Sequence, residues 1–166
     1  KASSDMIVRS YHHTFGLNTV ITNCSNNYGP HQHDEKLIPT IIRKALAGEE
    51  IPIYGDGKNI RDWLYVLDHC EAIDSVFNYG NAGETYNVGG DCEKSNIELA
   101  NLICSLLDEL KPKKDGSYSD QISFVKDRAG HDRRYAIDSS KIKKQLQWKP
   151  NYVLGDALRK YLQKLI

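Results

Sequence analysis

Short β-branched segments alternate with amphipathic helical segments along this chain, and the connections between them are short. Residues 51–54 and 122–125 are typical of strands, whereas apolar residues recur at helical spacing from Leu37 to Ala45. No internal repeat, low-complexity tract or long linker interrupts this alternation. The pattern predicts one α/β fold built in layers.

The predicted helices have recognisable ends. Gly16 follows the first helix, whose face carries Met6, Tyr11 and Phe15, and Ser95-x-x-Glu98 forms a capping box that opens another. Residues 25–30 are predicted to be a polar loop. Helices are predicted over residues 1–15, 37–47, 68–79, 96–110, 139–147 and 154–165, and strands over residues 17–24, 51–54, 85–88 and 122–125, with one more ending at 65–66.

Composition excludes several classes of protein. The chain has 166 residues, 40% of them hydrophobic, and 22 basic residues balance 22 acidic ones. A balanced charge provides no overall field for nucleic acid or an anionic membrane, so an anionic ligand has to be held by local chemistry. The longest apolar run, residues 63–67, is far shorter than the roughly 20 residues of a membrane span.

Neither the cysteines nor the histidines are spaced as metal ligands. The chain has four cysteines without the close pairs of a zinc site or the density of a secreted disulfide scaffold, which favours a reducing, cytoplasmic location. The pairs His12-His13 and His31-x-His33 are candidate ligands, but solvated histidines explain them better, because zinc needs three or four convergent ligands. We therefore expect no metal.

Two groups of polar residues in predicted loops are candidates for ligand contacts. The basic residues in these loops could replace the water around a diphosphate: Lys36, Arg61, Arg128, Arg133 and Arg134. Each of them alone could be a solvated surface charge. Asn26 and Asn27 suit sugar hydroxyls or a nicotinamide amide, although on composition alone turn chemistry explains them better. The sequence contains no glycine-rich phosphate loop and no serine nucleophile elbow.

Several stretches of the sequence match a known family. It resembles the bacterial dTDP-glucose 4,6-dehydratases, which are extended short-chain dehydrogenases/reductases acting on nucleotide sugars. The resemblance covers essentially the whole chain and is carried by residues 1–5 (KASSD), 22–30 (TNCSNNYGP), 35–39 (EKLIP), 60–66 (IRDWLYV), 84–90 (ETYNVGG) and 127–135 (DRAGHDRRY), the last being the most specific.

The resemblance implies a fold and a domain organisation. Residues 1–166 correspond to the C-terminal half of the family fold, in which the end of the Rossmann-like NAD-binding domain is interleaved with the smaller α/β nucleotide-sugar-binding domain. Lys1 would be the lysine of the family's Tyr-x-x-x-Lys pair, whose tyrosine lies four residues earlier. The glycine-rich NAD loop and the acidic pair that removes water belong to the other half.

The resemblance also implies which residues bind ligands and what reaction they serve. Lys1 is expected to be catalytic and, with Asn27, to contact NAD. The reaction would be a hydro-lyase reaction on dTDP-glucose: oxidation at C4, loss of water across C5 and C6, and hydride return to C6. The residues expected to bind the nucleotide sugar are Asn26, Lys36, Leu37, Pro52, Ile53, Tyr54, Arg61, Asn96, Arg128 and His131.

Two alternatives remain open at this stage. The chain could belong to another NAD-dependent nucleotide-sugar epimerase or dehydratase, or it could be an inactive nucleotide-sugar-binding fragment. We expect the isolated chain to lack dehydratase activity, because every catalytic group except Lys1 lies outside it. The full-length protein is expected to form a homodimer, and we expect neither nucleic acid nor a membrane as a partner.

Overall fold

The computed structural model describes all 166 residues and confirms the predicted alternation of strands and helices. Six α-helices and eight short strands follow one another along the chain, together with one 3-10 turn at Tyr118–Gln121. Their order is α1 (Ala2–Phe15), β1 (Ile21–Cys24), β2 (Asn26–Tyr28), α2 (Leu37–Ala47), β3 (Ile51–Tyr54), β4 (Ile60–Tyr65), α3 (Val66–Tyr79), β5 (Thr85–Val88), β6 (Glu93–Ser95), α4 (Asn96–Leu110), β7 (Ile122–Val125), β8 (Arg134–Tyr135), α5 (Ser140–Leu146) and α6 (Leu154–Gln163).

Most of the strand pairs are parallel, as expected where helices connect successive strands. β1 pairs with β5, β2 with β4, and β3 with β7, all in parallel. The first half of β4 also lies between β6, which is antiparallel to it, and β8, which is parallel. Arg61 therefore sits on a strand that has a neighbour on each side, opposite Lys94 and Tyr135.

The buried apolar side chains form two clusters. The larger one has 19 residues and fills the space between α2, α4, α6 and β3. The smaller one has seven residues and lies between β1, β5, α3 and α5. α1 contributes to neither, since none of its residues is buried, and the apolar face predicted for it is exposed, with Met6 at 70% and Phe15 at 72%.

The structure differs from the sequence prediction at three short strands. The predicted loop at residues 25–30 contains β2, and neither β6 nor β8 was predicted. All three have only two or three residues and pair with β4, so long-range pairing and not local propensity determines them. The strand predicted over residues 17–24 begins only at Ile21.

The capping box at the start of α4 is confirmed. The Glu98 backbone N–H donates to Ser95 Oγ at 3.3 Å, and the Ser95 backbone N–H donates to Glu98 Oε2 at 2.8 Å. This reciprocal pair satisfies backbone donors that a helix start otherwise leaves free. It fixes the place where Asn96 begins the helix.

None of the helices combines the length and the apolar character that crossing a membrane requires.

Candidate functional site

A cavity of about 700 Å³ opens where β2, β3, β4 and the starts of α2 and α4 meet the segment between β7 and β8. Its lining is mostly polar and carries more basic than acidic groups. The lining residues are Asn26, Glu35, Lys36, Leu37, Thr40, Lys44, Pro52, Tyr54, Arg61, Trp63, Asn96, Arg128 and His131.

Nine of the ten residues predicted to bind a nucleotide sugar line this one cavity. They come from regions as far apart in sequence as Asn26 and His131, so folding brings them together. The tenth, Ile53, is only 1% exposed and its side chain packs in the larger core, which leaves its backbone as the only part able to reach a ligand. Their role as ligand contacts remains a prediction.

Four lining residues were not predicted. Thr40 and Lys44 follow Lys36 at intervals of four, so they extend the same face along α2, and that spacing is a signal that the sequence did contain. Glu35 lies beside Lys36 and pairs with it at 3.2 Å. Trp63 lies two residues after Arg61 on β4 and therefore on the same face, but only the tertiary structure shows that this face meets the cavity.

Arg61 is a buried cation without a counter-ion. The residue is 8% exposed, and its Nη1 donates to the carbonyl oxygen of Ile60 at 2.7 Å. It takes part in none of the nine ion pairs of the chain. Burial lowers its pKa, and the nearby positive charge of Arg128 lowers it further, against an opposing effect of Asp132.

Arg128 reaches the same cavity from the exposed segment between β7 and β8, and it too has no ion-pair partner. Two guanidinium groups that face one space repel each other unless an anion lies between them. Planar guanidinium groups bind phosphate oxygens through paired hydrogen bonds. The pair is therefore suited to an anion of the diphosphate type.

His131 lies beside Arg128 and is held by a carboxylate. Its Nδ1 lies 2.7 Å from Asp127 Oδ1, and its side chain is only 6% exposed. This hydrogen bond is the main reason that the pKa of Asp127 lies below its usual range. The same Oδ1 also accepts the backbone N–H of Arg128 at 2.8 Å.

The segment that carries Arg128 and His131 is tied to the turn after β3. Arg133 Nη1 lies 2.8 Å from Asp56 Oδ1, and Asn59 Nδ2 donates to the carbonyl oxygen of Asp132 at 3.1 Å. The hydrogen bond from Arg133 is the main cause that lowers the pKa of Asp56. These contacts hold one wall of the cavity against the strand that carries Arg61.

The loop before α4 is fixed by a buried carboxylate next to Arg61. Asp62 is 2% exposed and accepts the backbone N–H groups of Gly90 at 2.8 Å and Cys92 at 2.7 Å. The backbone N–H of Asn96 donates to the carbonyl oxygen of Asn59 at 3.1 Å. These bonds hold the start of α4, and with it Asn96, at the edge of the cavity.

The two residues predicted to contact NAD do not line the cavity. Lys1 is exposed at the start of α1 and makes no ion pair. Asn27 Oδ1 lies 2.9 Å from His69 Nδ1, and Asn27 Nδ2 donates to the carbonyl oxygen of Ser25 at 3.1 Å. Burial lowers the pKa of His69. One N–H of the Asn27 amide is left for another acceptor.

No group of three or more His, Cys, Asp or Glu side chains is arranged to hold a metal ion. Among the candidate histidines, His12 has another partner, since its Nδ1 lies 2.9 Å from the carbonyl oxygen of Leu17. All four cysteines are free thiols.

Comparison with known proteins places the chain among nucleotide-sugar dehydratases. Residues 1–161 match the family model described as GDP-mannose 4,6 dehydratase. The chain is 60% identical over 159 residues to a dTDP-glucose 4,6-dehydratase of Xanthomonas campestris pv. campestris strain B100, covering 95% of the chain and 45% of that protein. It is 55% identical over 163 residues to dTDP-glucose 4,6-dehydratase 1 of Escherichia coli K12, covering 98% of the chain and 45% of that protein.

A solved structure gives the same result. The dTDP-glucose 4,6-dehydratase of Bacillus anthracis, crystallised in complex with NAD, is 47% identical with a TM-score of 0.87, and the match covers 98% of the chain and 49% of that structure. The predicted resemblance and the fold class, an α/β fold of the extended short-chain dehydrogenase/reductase type with Rossmann-like character, are thus confirmed. The chain spans less than half the length of the relatives it matches.

Proposed function

The chain belongs to the family described as GDP-mannose 4,6 dehydratase, and on that premise we propose that it supplies the nucleotide-sugar-binding half of an NAD-dependent dTDP-glucose 4,6-dehydratase. Its similarity to relatives with that name supports this choice of substrate. In this proposal residues 1–166 are the C-terminal half of the enzyme, with the end of the Rossmann-like domain interleaved with the substrate domain.

One observation carries the proposal: Arg61 and Arg128 face the same cavity, and neither forms an ion pair. A buried cation without a partner costs free energy, and an anion that enters the cavity removes that cost. The diphosphate of a nucleotide sugar carries two adjacent phosphoryl groups, which suits two guanidinium groups and the nearby His131. Each charge-assisted hydrogen bond of this kind contributes about 1.5–3 kcal/mol.

The other lining residues suit the two ends of such a ligand. Pro52, Ile53 and Tyr54 form an extended segment whose backbone groups and exposed ring could hold a base. Asn26, Lys36 and Asn96 offer hydrogen-bond partners for a hexose or its phosphates, and Leu37 adds an apolar contact. Holding the hexose in one orientation is the main contribution that these residues make to the rate.

NAD would meet this chain only at Lys1 and Asn27. These residues fit such a role, since the ammonium group of Lys1 is unpaired and the Asn27 amide keeps one free N–H. When bound, NAD would supply reversible hydride-transfer chemistry and would emerge unchanged. Lys1 would hold its positive charge near a tyrosine one helical turn earlier and so favour the phenolate that takes the C4 hydroxyl proton.

The proposal is tested by comparing nucleotides and sugars. We expect the chain to bind thymidine diphosphate, measured by calorimetry, and the full-length protein to convert dTDP-glucose in preference to UDP-glucose. A clear preference for UDP-glucose would show that the chain serves another nucleotide-sugar epimerase or dehydratase, because the two arginines recognise a diphosphate without regard to the base. A crystal soaked with thymidine diphosphate should place the ligand between Arg61 and Arg128, and a ligand found elsewhere would overturn the assignment.

Activity of the isolated chain is a separate question. Lys1 is its only candidate catalytic residue, so we expect the chain alone to form no 4-keto product from dTDP-glucose with added NAD. A 4-keto product, detected by its absorbance in alkali, would contradict this division of roles. The free thiols fit a cytoplasmic location, and the exposed face of α1 is the surface through which we expect the full-length protein to form a homodimer.

A further inference from the structure

His131 lines the cavity and directs one of its ring nitrogens to a carboxylate. Nδ1 lies 2.7 Å from Asp127 Oδ1, and Nε2 makes no hydrogen bond within the chain. Because the Asp127 carboxylate can only accept, the proton between them lies on Nδ1 of His131. If the ring is neutral, Nε2 then carries a lone pair and cannot donate to a phosphate oxygen.

Asp127 is fixed in its position by its surroundings. Its Oδ1 also accepts the backbone N–H of Arg128, and the low pKa of its carboxyl keeps it ionised at neutral pH. The other side of the carboxylate packs against Gly55, where an added Cβ would lie 2.8 Å from Asp127 Oδ2. Gly55 has φ +62, a backbone conformation that glycine adopts readily.

The hydrogen-bond role of Nε2 depends on what the cavity holds, because a diphosphate adds an acceptor for it. The charged groups around this space lie on three parts of the chain: Asp127, Arg128, Asp132 and Arg133 on the segment of His131, Arg61 on β4, and Glu35, Lys36 and Lys44 at and along α2.

We propose that Asp127 is a positioning residue that makes His131 a proton-linked receptor for the diphosphate. On binding, the ring takes one proton from solvent at Nε2, the imidazolium donates that N–H to a phosphate oxygen, and Asp127 remains ionised throughout. This inference rests on the diphosphate site proposed above and adds to it a requirement for proton uptake.

Calorimetry with thymidine diphosphate tests the uptake. At about pH 7, titrations in two buffers of different ionisation enthalpy count the protons taken up, because each proton comes from the buffer. We expect uptake with the wild-type chain, and little uptake with binding weaker by roughly tenfold in Asp127→Asn, which keeps an acceptor and removes the charge. Glu109→Gln is the control, because it also loses an ion pair, with Arg159, and neither residue lines the cavity.

The same proton uptake in Asp127→Asn and in the wild type would overturn the inference. A second measurement needs no ligand: the nitrogen chemical shifts of the His131 ring. In the free wild-type chain they should show the proton on Nδ1, and in Asp127→Asn they should show a population with the proton on Nε2. A wild-type ring that is protonated mainly on Nε2 would also refute the role of Asp127. If the chain binds no thymidine diphosphate while the ring shows the expected tautomer, the proposed function fails and the positioning by Asp127 stands.

Discussion

At the scale of single residues, Arg61 shows how a proposed binding group can weaken the fold that carries it. The residue is 8% exposed and its only hydrogen-bond partner is the adjacent carbonyl oxygen, so the guanidinium has lost part of its hydration, and the nearby Asp132 forms no ion pair with it. Such a group lowers the stability of the empty protein, and its charge becomes useful only with an anion.

Replacing this charge should therefore separate binding from stability. In Arg61→Met the stem of the side chain is kept and the charge is lost, so we expect thymidine diphosphate to bind roughly tenfold to hundredfold more weakly. The free energy of unfolding should stay the same or rise. Calorimetry and urea denaturation measure the two effects, with Arg43→Met on the exposed side of α2 as the control. Unchanged binding in Arg61→Met would exclude Arg61 from the site.

A second prediction at this scale concerns the contact between Gly55 and Asp127. Gly55→Ala and Gly16→Ala both place alanine at a positive φ, +62 and +66, so each should lose about 1–2 kcal/mol of stability. Only at Gly55 would the new methyl group meet a carboxylate, since nothing lies within 4 Å of the Cβ position at Gly16. We therefore expect weaker thymidine diphosphate binding in Gly55→Ala alone, and equal binding by the two variants would show that the contact does not matter for the site.

How far the sequence predicts the site depends on the kind of residue. Arg61, Arg128 and His131 lie in motifs that the sequence shows, and the structure places them around one cavity, while their role as ligand contacts stays a prediction. Trp63 belongs to no polar motif, and its place in the lining depends on which way β4 faces. The contact between His69 and Asn27 joins residues 42 positions apart, which no local pattern reveals.

At the scale of elements, the start of α4 joins a helix cap to the cavity. Ser95 ends β6 and pairs with Ile60, the residue before Arg61 on β4. The next residue, Asn96, begins α4 and lines the cavity. The capping box was visible in the sequence because it is a local pattern. β6 and β8 were not, because strands of two or three residues are stable only where β4 supplies their hydrogen bonds.

The capping box should make stability depend on pH. The hydrogen bond from Ser95 is the main cause that holds the pKa of Glu98 below 4.5 in the folded chain. The folded state thus favours the ionised carboxyl, and this contribution is present above pH 4.5 and lost as the pH falls through the lowered pKa. In Glu98→Gln, urea denaturation should show a smaller loss of stability on acidification than in the wild type. Glu50→Gln, at an exposed glutamate with no hydrogen bond, should follow the wild-type profile.

At the scale of the whole molecule, burial is unevenly distributed. The larger core of 19 residues joins α2, α4 and α6, whereas α1 buries no residue. Periodicity predicted the apolar face of α1 but could not predict that this chain leaves it exposed, since that depends on what packs against it. The α/β fold follows from the alternation of elements, but the pairing of particular strands does not.

Two isoleucines on helices test this distribution. Ile103 on α4 is fully buried, so Ile103→Ala should cost about 2–5 kcal/mol of unfolding free energy. Ile7 on α1 is 59% exposed, and Ile7→Ala should stay within about 0.5 kcal/mol of the wild type. Urea denaturation of both variants compares the loss of the same side chain at a buried position and at an exposed one. A large loss in Ile7→Ala would mean that α1 packs in solution against a surface that is not in this chain.

The separation of β3 from β4 bears on how nucleotide preference can change. β3 pairs only with β7, while β4 belongs to a different sheet. In the proposed assignment the first strand contacts the base and the second holds the diphosphate. A graft that exchanges only residues 51–54 for those of a relative with another base keeps the turn at Gly55 and Asp56, which contacts Asp127 and Arg133. Such a graft can therefore alter the nucleotide chosen while the phosphate grip is inherited intact, and evolution could diversify such enzymes one strand at a time.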